Sequence, residues 1–224
     1  MRAREEVERL IKEKDLRSLL LKAGELHGHF CPMLSLGVKA GAYAMNELGG
    51  ENPGMEEIIA IVETNNCFSD GIQFVTGCTF GNNALIYRDF GKTAVTLAKR
   101  SGDGIRISVK PGAFMDPETE DLFQKVVVRR EGSREETEKL MKGFENAAFS
   151  LLDRDELFLC ERVKIDIPEY APIFESEVCE ECGESVMSTR MVKKDGRKLC
   201  IPCAGGSYLE LNGSGIVRYE DKTI

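Results

Sequence analysis

The sequence predicts an α+β fold, with helices packed on a mostly antiparallel sheet and a small cysteine-held module appended towards the C-terminus. Two observations set the fold class. Helical spacing of apolar residues dominates 5–49 and 133–151, whereas strand-like alternation dominates 84–110, and these blocks do not alternate as βαβ repeats would. A third observation sets the appendage: four of the eight cysteines fall in two Cys-x-x-Cys pairs near the C-terminus. That spacing suits a metal better than a crosslink.

Taken in order, residues 5–14 place Val7, Leu10 and Ile11 on one helical stripe, and a second helix from Asp15 places Leu16, Leu19, Leu20 and Ala23 on another. Pro32 stands where a helix's first residue belongs, and that helix runs to Gly49 and Gly50. Gly37 and Gly41 within it permit close approach of another backbone. Residues 58–63 are short and β-branched, which predicts a buried strand. Ser69 is the expected cap of a short helix that stops at Gly77. Residues 84–90, 93–98 and 105–110 then read as an antiparallel meander. Leu122, Phe123, Val126 and Val127 suggest a helix, which Gly132 ends. Ser133 with Glu136 forms a capping box for the next, carrying Leu140, Phe144, Ala148 and Leu151. Val163, Ile165 and Ile167 alternate as a strand before Pro168 and Pro172 mark a linker. The expected division is a core domain over 1–170 and a linker with the cysteine module over 171–224, the module itself beginning near Ser176.

With 42% hydrophobic and 30% charged residues among 224, the chain suits one full core plus an appendage. A net charge of −8 supplies no basic field for polyanions, so nucleic acid is an unfavoured partner. The longest apolar runs fall far short of the roughly 20 residues that span a bilayer. The charged opening MRAREEVERLIKEK lacks the apolar stretch of a secretory signal. The expectation is a cytoplasmic protein with no membrane association.

Cys179 and Cys182 are separated from Cys200 and Cys203 by 17 residues that include the turn Lys194-Asp195-Gly196. Each pair can form a knuckle, and the intervening hairpin folds one knuckle back on the other. Four thiolates then close a tetrahedral shell around a structural zinc. Such an ion supplies folding free energy to a module too small for much of a core. Two redox-active pairs would need an oxidoreductase-like framework that this segment lacks. Nucleic-acid binding would need positive charge, yet residues 176–224 hold seven Lys and Arg against eight Asp and Glu.

The protein has only two histidines, and both lie in Leu26-His27-Gly28-His29-Phe30-Cys31-Pro32. In an extended segment His27, His29 and Cys31 share one face. Cys31 also precedes a helix start, which favours its thiolate. Cys67 and Cys78 flank CFSDGIQFVTGC at the end of the predicted buried strand, where loops commonly carry chemistry. Together these residues suggest a mixed nitrogen and sulfur site suited to zinc or iron. With only three ligands bound, one position is left for water or substrate, and Asp70 is the candidate catalytic proton acceptor or ligand-orienting group. The plain alternative for Cys67 and Cys78 is two small buried residues, which is also the reading for Cys160. The Gly81-Asn82-Asn83 turn is either a simple bend or a backbone approach to a ligand.

HGHFCP followed by CFSDGIQFVTGCTFGNNALIYRDFGKTA resembles the FmdE family, named for a component of formylmethanofuran dehydrogenase. The likeness runs from about Leu20 to Thr96, and the family often carries a C-terminal zinc ribbon. The family pattern falls on His27, Gly28, His29, Cys31, Pro32, Cys67, Asp70, Gln73, Gly77, Cys78, Thr79 and Gly81. Met33 and Ala84 depart from it, standing where glycine and asparagine are common. The resemblance implies an α+β core, a homodimer, a metal-binding cleft and association with molybdenum or tungsten enzymes of one-carbon metabolism. The expected function is that of a metal-binding accessory or regulatory protein. The alternatives are a stand-alone enzyme with an open zinc or iron position, and a metal or redox sensor acting through the ribbon on protein or nucleic acid.

Overall fold

Local capping chemistry sets where the first helices begin and end. In the computed structural model, which describes residues 3–220 apart from 50, 51, 53 and 113, α1 (Glu5–Glu13) ends at Lys14 in the left-handed conformation. Asp15 then caps α2 (Leu16–His27) by accepting from the Ser18 N–H. In α3 (Pro32–Leu48), Cys31 is the N-cap, Pro32 stands in the first turn and Gly49 is the left-handed C-cap. All three helices follow the sequence reading; Gly50, the second expected stop residue of α3, lies outside the described residues. Helix α3 is buried on nearly every side, with Leu34, Leu36, Val38 and Ala40 fully enclosed.

Strand β1 (Ile58–Val62) is buried along its whole length. It leads into α4 (Cys67–Thr76), whose cap is Asn66, not Ser69. The Asn66 side chain accepts from the Phe68 N–H at 2.9 Å, and the Ser69 hydroxyl instead donates to the Thr64 carbonyl at 2.6 Å. This earlier start brings Cys67 into the first turn of the helix.

The expected meander is also corrected. Strand β2 (Leu85–Tyr87) pairs in parallel with β1, placing Ala60 opposite Leu85. The cause is the connection: α4 lies between the two strands, so the chain crosses over and returns in the same direction. Strands β3 (Ala94–Lys99) and β4 (Asp103–Val109) do form the antiparallel hairpin. Next come α5 (Pro117–Phe123), a π-helical turn over Gln124–Val128, and α6 (Arg134–Leu152) with the Ser133 and Glu136 capping box in place. Strand β5 (Phe158–Lys164) closes a five-stranded sheet of order β2-β1-β3-β4-β5. It starts earlier than the alternation at Val163, Ile165 and Ile167 suggests, because its register follows β4, with Ile107 opposite Cys160. As an edge strand it leaves Cys160 exposed, which corrects the buried reading of that residue.

The chain divides into two compact units, Met1–Pro168 and Glu169–Ile224. The first is the mixed helical and mostly antiparallel domain. The second consists of β6 (Ser176–Val178), β7 (Ser185–Met187), β8 (Met191–Lys194), β9 (Arg197–Cys200), the short α7 (Ile201–Ala204), β10 (Tyr208–Asn212) and β11 (Gly215–Tyr219), paired as three hairpins. Among the described residues, no helix is long and apolar enough to cross a membrane.

One contact in the first unit positions the site. Helices α3 and α4 meet through glycines: a Cβ on Gly37 would lie 2.1 Å from the Phe68 carbonyl oxygen, and one on Gly71 would lie 2.6 Å from that of Leu34. Only hydrogen fits at both places. The resulting approach sets the start of α4 beside the start of α3, and so Cys67 beside Cys31.

Candidate metal centre

His27 is the last residue of α2, and Gly28 reverses the chain at φ 89°. The segment therefore turns where the sequence reading had it extended. Its three donors still converge, because His29 follows the turn and Cys31 caps α3. Cys67 arrives from α4. One donor atom from each of His27, His29, Cys31 and Cys67 lies within 4.8 Å of all the others.

Asp70, one turn into α4, determines how His27 is held. Its Oδ2 lies 2.7 Å from His27 Nδ1, and its Oδ1 accepts from Gln73 Nε2 at 3.2 Å. The imidazole Nε2 is thereby turned to the sulfurs, 3.9 Å from Cys31 Sγ. Asp70 is thus hydrogen-bonded behind the histidine.

The Cys31 and Cys67 sulfurs lie close enough in this set to shift each other's ionisation. The neighbouring Cys67 and then burial push the Cys31 thiol up. The neighbouring Cys31, and then His27, pull the Cys67 thiol down against the effect of burial. Burial and then the neighbouring His27 lower the pKa of His29.

Cys78 is not brought to the cluster. It follows α4 at the opposite end, about 15 Å from Cys67 at the rise of an α-helix. Its thiol donates to the Ile58 carbonyl at 3.3 Å, and burial raises it to about 11. The Gly81-Asn82-Asn83 turn is a self-satisfied bend: Asn82 accepts from the Thr79 N–H and donates to the Gly77 carbonyl.

Around a tetrahedral zinc with two sulfur and two nitrogen ligands, donor atoms sit roughly 3.3–3.8 Å apart. The core set is already gathered to within about 1 Å of that spacing, and its donors are those that zinc and iron accept. The residues fit such an ion.

A cavity of about 700 Å³ opens beside the set. His29, Cys31 and Cys67 line it; the rest of the wall is almost wholly apolar, with Met33, Phe114, Met115, Phe123 and Phe144 prominent. Sequence reading missed these wall residues. They come from α3, the segment after β4, α5 and α6, and no spacing in the chain links them.

In the second unit one sulfur from each of Cys179, Cys182, Cys200 and Cys203 falls within 4.8 Å of the others. The Cys200 N–H donates to Cys179 Sγ at 3.3 Å and the Cys203 N–H to Cys200 Sγ at 3.4 Å. Backbone N–H groups of Cys182 and Cys200 pull Cys179 down to about 6, while the neighbouring Cys200 sulfur and then burial push Cys203 up to about 12. The hairpin cations are engaged locally: Arg197 pairs with Glu181, Lys198 with Glu177, and Lys194 donates to the Ala204 carbonyl.

Known proteins resemble both units of the chain. A family model described as "FmdE, Molybdenum formylmethanofuran dehydrogenase operon" matches residues 26–160. A second, the prokaryotic dksA/traR C4-type zinc finger, matches residues 172–209. A protein of Archaeoglobus fulgidus named a probable S-adenosyl-L-methionine-binding protein is 45% identical over 217 residues, covering 93% of this chain and 58% of the relative. The chain thus spans about three-fifths of that relative's length. A crystal structure of an FmdE-like protein of tungsten formylmethanofuran dehydrogenase type, from Syntrophus aciditrophicus, shares the fold. It has a TM-score of 0.51 at 22% identity, covering 85% of this chain and 92% of that one. The chain belongs to the FmdE family and carries a C4-type zinc finger over residues 172–209.

Proposed function

We propose that this protein is a metal-binding accessory or regulatory factor for molybdenum or tungsten enzymes of one-carbon metabolism. A core zinc or iron is held by His27, His29, Cys31 and Cys67, and a structural zinc by Cys179, Cys182, Cys200 and Cys203. The observation that carries this reading is the convergence of the four core donors at the cavity wall. In this reading Asp70 orients His27 and is not a general base, since it is hydrogen-bonded to the imidazole and is not among the residues lining the cavity. Family membership supports the link to one-carbon metabolism.

A second reading, a stand-alone metal-dependent enzyme, is favoured by one feature: three of the four core donors face an apolar cavity of ligand size. The binding named for the Archaeoglobus relative is not carried over, because about two-fifths of that protein lies outside the match.

Metal analysis of the full chain tests the proposal. Cys31→Ser and Cys67→Ser should each lose the core ion, Cys179→Ser should lose the ribbon ion, and Cys78→Ser should keep both. A full metal complement in both Cys31→Ser and Cys67→Ser would overturn the core site. Copurification with a molybdenum or tungsten enzyme favours the accessory reading, and turnover by the isolated chain favours the enzyme.

A further inference from the structure

The two core histidines are held differently. The His27 side chain is only 10% exposed, its Nδ1 is fixed by Asp70, and Asp70 is in turn fixed by Gln73. His29 sits on the turn between α2 and α3 and makes a ring contact with His27, 4.4 Å between centroids. Among the described residues its ring nitrogens have no hydrogen-bond partner. A metal-bound histidine is ordinarily kept in place through its second ring nitrogen. His27 has that support and His29 lacks it. His29 also lines the cavity, whereas His27 does not. The weakly held donor is thus the one that faces the open space.

The cavity limits what could take its place. About 700 Å³ lies within the range of small-molecule sites. Phe123 and Phe144, 6.1 Å apart between ring centroids, form an aromatic wall, and Met33 and Met115 add side chains that adapt to shape. Apart from the metal-ligand set, the charged side chain in the lining is Glu120, which is exposed and so belongs to the rim. A ligand with a charged body would lose hydration there without compensation. The donor atom is constrained separately, since an ion held by thiolate and imidazole prefers sulfur.

We propose that His29 is an exchangeable ligand and that the cavity takes a small apolar thiol whose sulfur replaces the His29 imidazole on the core ion. The S–H bond breaks and its proton passes to solvent; the bond from the ion to His29 is exchanged for one to sulfur, with no change of oxidation state. This rests on the metal reading of the core set and goes beyond it by naming the ligand class and the residue that yields.

The test uses the full chain loaded with cobalt(II), with the core ion isolated as the spectral difference between wild type and Cys31→Ser. Benzyl mercaptan, 2-mercaptoethanol and benzoate are titrated in turn. Benzyl mercaptan should change the core cobalt bands at about tenfold lower concentration than 2-mercaptoethanol, given the apolar area of its ring, and benzoate should leave them unchanged. His29→Ala should retain core cobalt and bind benzyl mercaptan about tenfold more tightly, since the competing imidazole is gone. Phe144→Asp should retain core cobalt and lose the preference for the aromatic thiol. Equal response to both thiols overturns the cavity assignment. Loss of core cobalt from His29→Ala as complete as from Cys31→Ser overturns the exchange. If wild type and Cys31→Ser show no spectral difference before any thiol is added, the metal reading itself fails, an outcome distinct from the other two.

Discussion

Asp70 is hydrogen-bonded to His27 of the proposed metal set, and its contribution can be isolated without changing the number of donors in that set. Asp70→Asn keeps the size of the side chain but removes the charge that fixes His27 Nδ1 as a donor. Core-metal affinity should fall by about 10–100-fold, as is usual for such supporting carboxylates. Competition with a chromophoric chelator measures this, and unchanged affinity would count against the orienting role. A second residue pair gives a pH signature. Arg106 donates twice to Glu63, at 2.8 Å each, and these bonds hold the buried carboxyl below its ordinary value of 4.5. A depressed folded pKa means the stabilisation is present above 4.5 and is lost as pH falls through the folded value. Glu63→Gln should therefore be less stable than wild type at pH 7 by about 1–3 kcal/mol, with the gap closing in acid. Denaturant unfolding of both proteins at pH 7 and pH 3 checks the sign; a gap that stays constant would assign the loss to packing. At this scale the clustering of His27, His29 and Cys31 was legible in the sequence, since they are neighbours in the chain. It could not separate Cys67 from Cys78, because both lie in one segment and only the helix between them shows that they occupy opposite ends.

Helices α3 and α4 hold the site together through a backbone contact that no side chain can replace. Gly37→Ala would place its Cβ 2.1 Å from the Phe68 carbonyl oxygen, so α4 must move or unfold locally. The expected destabilisation is about 1–3 kcal/mol, accompanied by reduced core-metal content because Cys67 moves with α4. Gly41→Ala is the control: its Cβ would meet side chains and no backbone, Val75 at 3.2 Å and Ile72 at 3.7 Å, and the loss should be smaller. Thermal unfolding and metal analysis of the two variants separate the effects; equal losses would remove the close crossing as the cause. The starts of α2, α3 and α6 were legible because Asp15, Cys31-Pro32 and Ser133 act on their own neighbours. The partner of β2 was not, because the parallel pairing with β1 depends on where α4 packs.

The second unit has a very small buried apolar cluster of its own, made of Cys179, Leu199, Cys200 and Ala204. With so little core, its order should depend on zinc, whereas the first unit has the large cluster built on α3 and the sheet. Removing metal with a strong chelator should abolish amide protection in β8 and β9 while α6 keeps its own. Hydrogen exchange read by mass spectrometry reports both units in one sample, and persistent protection in β8 and β9 would show that the ribbon folds without its ion. Taken by itself, the sequence determined the α+β class, the Cys179, Cys182, Cys200 and Cys203 set, and the pairing of two histidines with a helix-capping cysteine. These rest on spacing, periodicity and capping, all of which act over a few residues. The tertiary structure alone decided that Cys67 gathers with His27, His29 and Cys31 while Cys78 does not, and that an apolar cavity adjoins that cluster. Those outcomes depend on how closely α3 and α4 approach and on which distant segments wall the space, and such long-range packing leaves no pattern along the chain.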